Sequence, residues 1–274
     1  MTTTTLAPVP VETGIAPRVR RVGALAAMEL RLLWRNRTAL TVAVGFPPLM
    51  VLSMMRLFDS DDGARLSGAI LVALLGFAIV FVPYYNLTTT AVARREDLML
   101  KKLVTGETSQ GEVLVGMAVP ALVILVAQTL VTLGVVSASF EPPAFVNPAL
   151  AVLTVLLATV VFALLACASS GVTRSVESAQ LTTMPLMLAA VGLSGLLFPL
   201  SVLPPAVERV AALTPLAPVV ELLHLSVTGI DADGAAVTLA ESFSAGLVPL
   251  AVLLAWVGIG LFAARRWMRW DTRR

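Results

Sequence analysis

Six stretches of the chain are apolar for long enough to cross a bilayer, and charged or proline-rich segments separate them. They run over residues 38–57, 66–87, 113–138, 148–170, 181–200 and 245–264. Each is close to the ~20 residues that a helix needs to cross the hydrocarbon core. Ahead of the first, residues 18–37 (RVRRVGALAAMELRLLWRNR) place Val22, Leu25, Met28 or Glu29, and Leu32 at helical spacing, flanked by Arg18, Arg21, Arg31 and Arg35. With Trp34, that spacing predicts an amphipathic helix lying in the interface before the first span. Residues 1–17 are rich in Thr, Pro and Val without an apolar core. They read as a disordered cytoplasmic tail, and no secretory signal is expected in the first 37 residues.

Prolines interrupt the apolar runs. Pro47 and Pro48 fall within the first, and Pro83, Pro120, Pro185 and Pro249 within others. Each frees a carbonyl and kinks its helix. In lipid this is tolerated where neighbouring helices or water satisfy the freed group, so the pattern predicts a packed bundle. Between the fifth and sixth spans, residues 201–244 are too apolar for a plain loop, yet Pro204, Pro205, Pro215 and Pro218 break them too often for a span. Two short helices that re-enter the membrane or lie on its outer face are expected there.

Composition agrees with lipid as the main solvent. Of 274 residues, 58% are hydrophobic and 13% charged, against about a quarter charged in a soluble domain. The net charge of +2 does not imply a nucleic-acid partner, because the cations gather at the chain ends and in one loop. Lys and Arg number six in the N-terminal region, four after the second span, one (Arg174) after the fourth and five at the C-terminus, sixteen of the nineteen in the chain. Arg56, Arg65 and Arg209 remain for the other side. The positive-inside rule therefore puts both termini, the loop after span two and the basic tail at residues 265–274 in the cytoplasm. The single cysteine, Cys167, excludes an intrachain disulfide and a Cys-based metal site.

The most informative segment is residues 91–116, AVARREDLMLKKLVTGETSQGEVLVG. Leu98, Leu103 and Val104 alternate at helical spacing with Arg94, Arg95, Glu96, Lys101 and Lys102. A short amphipathic cytoplasmic helix over residues 94–104 is expected, able to dock in a groove of a partner or to rest on the headgroups. The segment resembles the loop between the second and third spans of ABC-2-type transporter permeases, the membrane subunits of many bacterial ABC exporters. That family carries R-E-x-x-x-L-(E/K)-(R/K)-L-x-x-T there; Arg95, Glu96, Leu100, Lys101, Lys102 and Leu103 fill its places, and Thr105 stands one position ahead of its threonine. Leu98 and Met99 stand where many members have a small-residue pair, and Gly106 and Glu107 where many have a proline. Pro199, Pro204 and Pro215 resemble the family's proline-marked extracellular helices after span five. The resemblance covers about residues 18–270 and is nearest to the drug-resistance branch.

The resemblance implies an all-α membrane protein with a six-helix domain over residues 38–264, resident in a bacterial plasma membrane. It implies a coupling helix (Arg94, Arg95, Glu96, Leu100, Lys101, Lys102, Leu103, Thr105) gripped by a separate ATP-binding subunit. ATP and Mg would sit on that partner, with no cofactor, metal or catalytic residue on this chain. A second copy, or a related permease, would complete the conduit. A pathway lined by Leu, Val, Phe, Met and Thr suits a hydrophobic or amphipathic cargo moving outward.

Other motifs point to different chemistry. Gly106–Gly111 has the G-x-x-x-x-G spacing of a phosphate loop but is followed by Glu112 and Val113, without the lysine and hydroxyl that hold phosphate and magnesium. Gly192-Leu-Ser194-Gly195 resembles the nucleophile motif of rhomboid intramembrane proteases, but His224, the one histidine, lies in the outer loop, and the serine needs a base within hydrogen-bond reach. Glu221 and His224 share a helix face, as a polar edge or a proton relay. Gln128, an amide deep in an apolar run, either lines the pathway or bonds a neighbouring helix.

Overall fold

A computed structural model describes residues 15–35, 63–98 and 109–268 except Asp233, together with isolated positions between 37 and 49. The tail over 1–14, most of the first expected span with Pro47, the motif positions Leu100, Lys101, Lys102, Leu103 and Thr105, and the end of the basic tail lie outside the described residues. Nine helices are named among the described residues, and no strand is formed; Ile230 and Ala236 make an isolated bridge.

Helix α1 (Ile15–Arg35) is the amphipathic N-terminal helix. α2 runs without interruption from Gly63 to Glu96. At ~1.5 Å per residue its 34 residues extend about 50 Å, well beyond a ~30 Å hydrocarbon core. α3 (Gln110–Ser139), α4 (Pro148–Val172) and α9 (Leu247–Trp267) are the other long apolar helices. Among the described residues, four helices are thus long and apolar enough to cross a membrane. α5 (Val176–Gly192) has 17 residues. α6 (Pro205–Ala212) and the α7 segment (Ala217–Thr228) form a pair bent by 80°, and α8 (Leu239–Ala245) leads into α9.

The sequence pattern and the helix ends part company at two places. The fifth span, expected over 181–200, begins earlier and stops sooner. A capping box at Ser175, closed by Ser178, starts α5. At its other end the Ser194 hydroxyl donates to the Val191 carbonyl at 2.8 Å and accepts from the Leu196 amide at 3.2 Å, and Gly195 takes φ +86°. A side chain that bonds its own backbone, followed by a left-handed glycine, ends a helix however apolar the run is. The second difference concerns residues 94–96, expected on a separate cytoplasmic helix. They form the last turn of α2, and the break comes after them, at Asp97 and at Leu98 with φ +56°.

Pro83 marks a π-helical stretch, Val80–Asn86, inside α2. A wider turn leaves carbonyls poorly paired, and the threonines that follow take them up. Thr88 Oγ1 donates to the Tyr84 carbonyl at 2.7 Å, and Thr89 Oγ1 to that of Asn86 at 2.8 Å. This is how a helix with a π-helical turn survives in lipid. The core is apolar, and the outer surface is apolar as well. Arg95 is 2% exposed, whereas Leu181 is 75% and Phe262 68% exposed. The outward apolar side chains face the lipid that solvates them.

The expected short outer helices are present and differ from one another. α6 buries only Ala211. α7 buries Val219, Leu222, Leu223, Leu225 and Val227 and so enters the bundle. Pro199 precedes a 3₁₀ turn, Pro204 caps α6, and Pro215 lies in the link to α7. The bend is held by Trp256 Nε1, which donates to the Leu213 carbonyl at 2.8 Å, and by Thr214 Oγ1, which donates to the Leu193 carbonyl at 3.3 Å.

Candidate functional site at the charged end of the bundle

The C-terminal ends of α2, α4 and α9 and the N-terminal ends of α3 and α5 share one end of the molecule, where α1 lies. α1 is fastened there by two bidentate ion pairs. Arg21 donates through Nη2 to Glu112 Oε1 at 2.8 Å and through Nε to Oε2 at 3.4 Å. Glu112 is also the third helical residue of α3, and its Oε2 accepts the Ser109 amide at 2.7 Å in a capping box. One carboxylate therefore starts α3 and holds α1. The backbones come close at this contact, because a Cβ on Gly116 would lie 2.7 Å from the Leu25 Cβ.

The second pair joins α1 to α2. Arg94 Nε donates to Glu29 Oε1 and Nη2 to Oε2, each at 3.0 Å, with Glu29 nearly buried. The fork geometry of guanidinium on carboxylate makes such a pair directional as well as attractive. Arg95, one position on, is buried and points elsewhere. Its Nη1 donates to the Ser170 carbonyl and its Nη2 to the Thr173 carbonyl, both at 2.7 Å. These are end carbonyls of α4, where a helix leaves acceptors unpaired and its dipole favours a cation. Lower in the bundle, the Tyr84 hydroxyl and the Ser169 hydroxyl bond at 3.1 Å, and the Tyr84 ring meets Phe162 edge-on at 6.3 Å.

Of the residues expected to couple to a partner, Arg94 and Arg95 are thus turned inward onto α1 and α4, and Glu96 is exposed. Leu100 to Thr105 lie outside the described residues. Sequence reasoning missed Glu29 and Glu112 as the anchors of α1. The signal for Glu112 was present, because Ser109-x-x-Glu112 ahead of an apolar run is a capping-box pattern. Glu29 carried a weaker one, as an acidic residue on the apolar stripe of an otherwise basic helix. Gln128 is buried, and its Nε2 approaches the Val44 carbonyl at 3.5 Å, a helix-to-helix contact. Pro48 is helical and half-buried.

A cavity of about 860 Å³ lies between α1, the middle of α2 and the first half of α3. Its α2 wall is Val82, Asn86, Thr90 and Arg94, one residue per turn, and Pro120, Ala121 and Ile124 face them from α3. Arg35 and Arg37 stand at the rim on the α1 side.

Ser194 lies in the turn after α5 with its hydroxyl engaged by backbone groups on both sides, and the protease alternative finds no support. No group of three His, Cys, Asp or Glu side chains able to hold a metal forms among the described residues. Cys167 is buried.

Comparison with known proteins gives a family. A family model described as ABC-2 type transporter matches residues 20–226. No curated protein matches the sequence.

Proposed function

The chain belongs to the ABC-2 type transporter family, and from that premise we propose that it is the membrane subunit of an ATP-driven exporter of a hydrophobic or amphipathic cargo. Membership makes it a multi-pass membrane permease of an ABC system. ATP and Mg belong to a separate ATP-binding subunit, and a second permease copy completes the conduit. The sixteen-to-three distribution of Lys and Arg supports placing the charged end in the cytoplasm of a bacterial cell.

The observation that carries the coupling reading is the way α2 ends. Its last turn is tied through Arg94 to α1 and through Arg95 to α4. A force applied to the segment that follows, residues 97–108, therefore reaches three helices and not α2 alone. Glu96 faces outward beside that segment, where an ATPase can contact it. The two arginines transmit; Glu96 and the residues through Thr105 make the contact. Energy from outside the chain is also what the spans require. Their interiors are nearly devoid of the ionisable residues that an ion-coupled carrier uses.

The test is co-purification with the ATP-binding subunit. Glu96→Arg combined with Leu103→Arg is expected to abolish co-purification or transport-coupled ATP turnover while membrane insertion is unchanged. Retained turnover with transport would overturn the assignment.

A further inference from the structure

We propose that the cavity between α1, α2 and α3 is a binding site for an amphiphile with an anionic head and an apolar tail. The cavity has a gradient of polarity. Along α2 the wall passes from Val82 through Asn86 and Thr90 to Arg94, apolar to amide, hydroxyl and guanidinium within three turns. Opposite the apolar end, Ala121 and Ile124 of α3 pack with Val82 and Val44 in a small buried cluster. The cavity therefore has an apolar depth and a polar mouth.

The described residues at the mouth carry a net positive charge. Arg94 is already answered by Glu29. Arg35 and Arg37 stand at the rim, exposed, and among the described lining residues Glu29 is the one carboxylate. Two cations above an apolar pocket select a single anionic head with a tail beneath it, such as a phosphate or carboxylate carried on an alkyl chain. A volume of about 860 Å³ falls in the range of small-molecule sites, about 300–1,000 Å³. α1 lies at the bundle's end beside Trp34, which is 76% exposed, the place of an aromatic anchor at a headgroup layer. The mouth therefore opens where a leaflet presents such heads.

The experiment uses the full chain in detergent and dodecyl phosphate as probe, with dodecanol as the uncharged comparison. Native mass spectrometry reads the two affinities. At about fivefold per arginine near a headgroup layer, dodecyl phosphate is expected to bind roughly 30-fold more tightly than dodecanol. Arg35→Gln with Arg37→Gln should bring the ratio close to one, and Arg35→Lys with Arg37→Lys should keep most of it. Ala121→Phe, which fills the depth, should weaken both probes. Equal affinity for the two heads in the unaltered chain, or a ratio indifferent to the two arginines, would overturn the proposal.

The head chemistry has two sources, a bilayer lipid or the exported cargo. Phosphatidylglycerol retained over phosphatidylcholine and displaced by dodecyl phosphate identifies a resident lipid. Dodecyl phosphate that raises ATP turnover of the assembled complex, dependent on Arg35 and Arg37, identifies cargo. Only the cargo arm rests on the exporter reading. That reading fails on its own if the complex turns over no ATP, whereas the site fails if the head preference is absent.

Discussion

Consecutive residues on a helix point roughly 100° apart, so Arg94 and Arg95 reach different neighbours from one turn. Arg94 meets a carboxylate on α1, and Arg95 meets bare carbonyls at the end of α4. The two contacts should respond differently to substitution. Removing Arg95 leaves the Ser170 and Thr173 carbonyls buried without their donor, a loss of about 1–3 kcal/mol for a group left unpaired. Arg95→Gln is therefore expected to lower the Tm of the full chain in nanodiscs, and Arg94→Gln by more, because it leaves the buried Glu29 carboxylate without its counter-ion. A larger Tm loss for Arg95→Gln than for Arg94→Gln would contradict this ranking. From the sequence, both residues read as surface cations of a docking helix. Burial of a guanidinium cannot be read from a charged segment, because its acceptors come from residues about 75 positions away.

At the scale of elements, four of the expected apolar runs form long helices among the described residues, and helix ends follow local capping chemistry. α3 starts at a Ser109 box and α5 at a Ser175 box, each written in the sequence. How closely two helices approach is decided by packing. Gly171, near the end of α4, faces the end of α9, and a Cβ built there would overlap the Trp267 carbonyl. Gly171→Ala is expected to push the two helix ends apart, at a cost of about 1–3 kcal/mol, the usual penalty of overpacking. The readouts are a lower Tm and faster proteolysis after Trp267, while Gly23→Ala, with open space around it, should leave both unchanged.

For the molecule as a whole, the arginine asymmetry and the helix arrangement together make a prediction about sidedness. In a Cys167→Ala background, Asp97→Cys and Ala240→Cys each place a thiol at an exposed position, at opposite ends of the bundle. A membrane-impermeant maleimide is expected to label Ala240→Cys in intact cells and Asp97→Cys only after permeabilisation. The reverse pattern would overturn the orientation and, with it, the cytoplasmic placement of the segment after Glu96.

Apolar helices, an uneven spread of cations along the chain and a segment after α2 that resembles a coupling loop were all legible in the sequence. These properties are local or additive, so hydropathy, charge counting and motif spacing carry them. Tertiary structure alone decided that α5 stops at Gly192, that α7 enters the bundle while α6 does not, and that Arg94, Arg95 and Glu112 join helices. It also decided that Asn86 and Thr90 line a cavity with Arg35. Each of these depends on which residues meet across long separations, and the pairing energies that settle it belong to neither partner alone. The charged end of the chain was legible as a place; what its residues hold together was not.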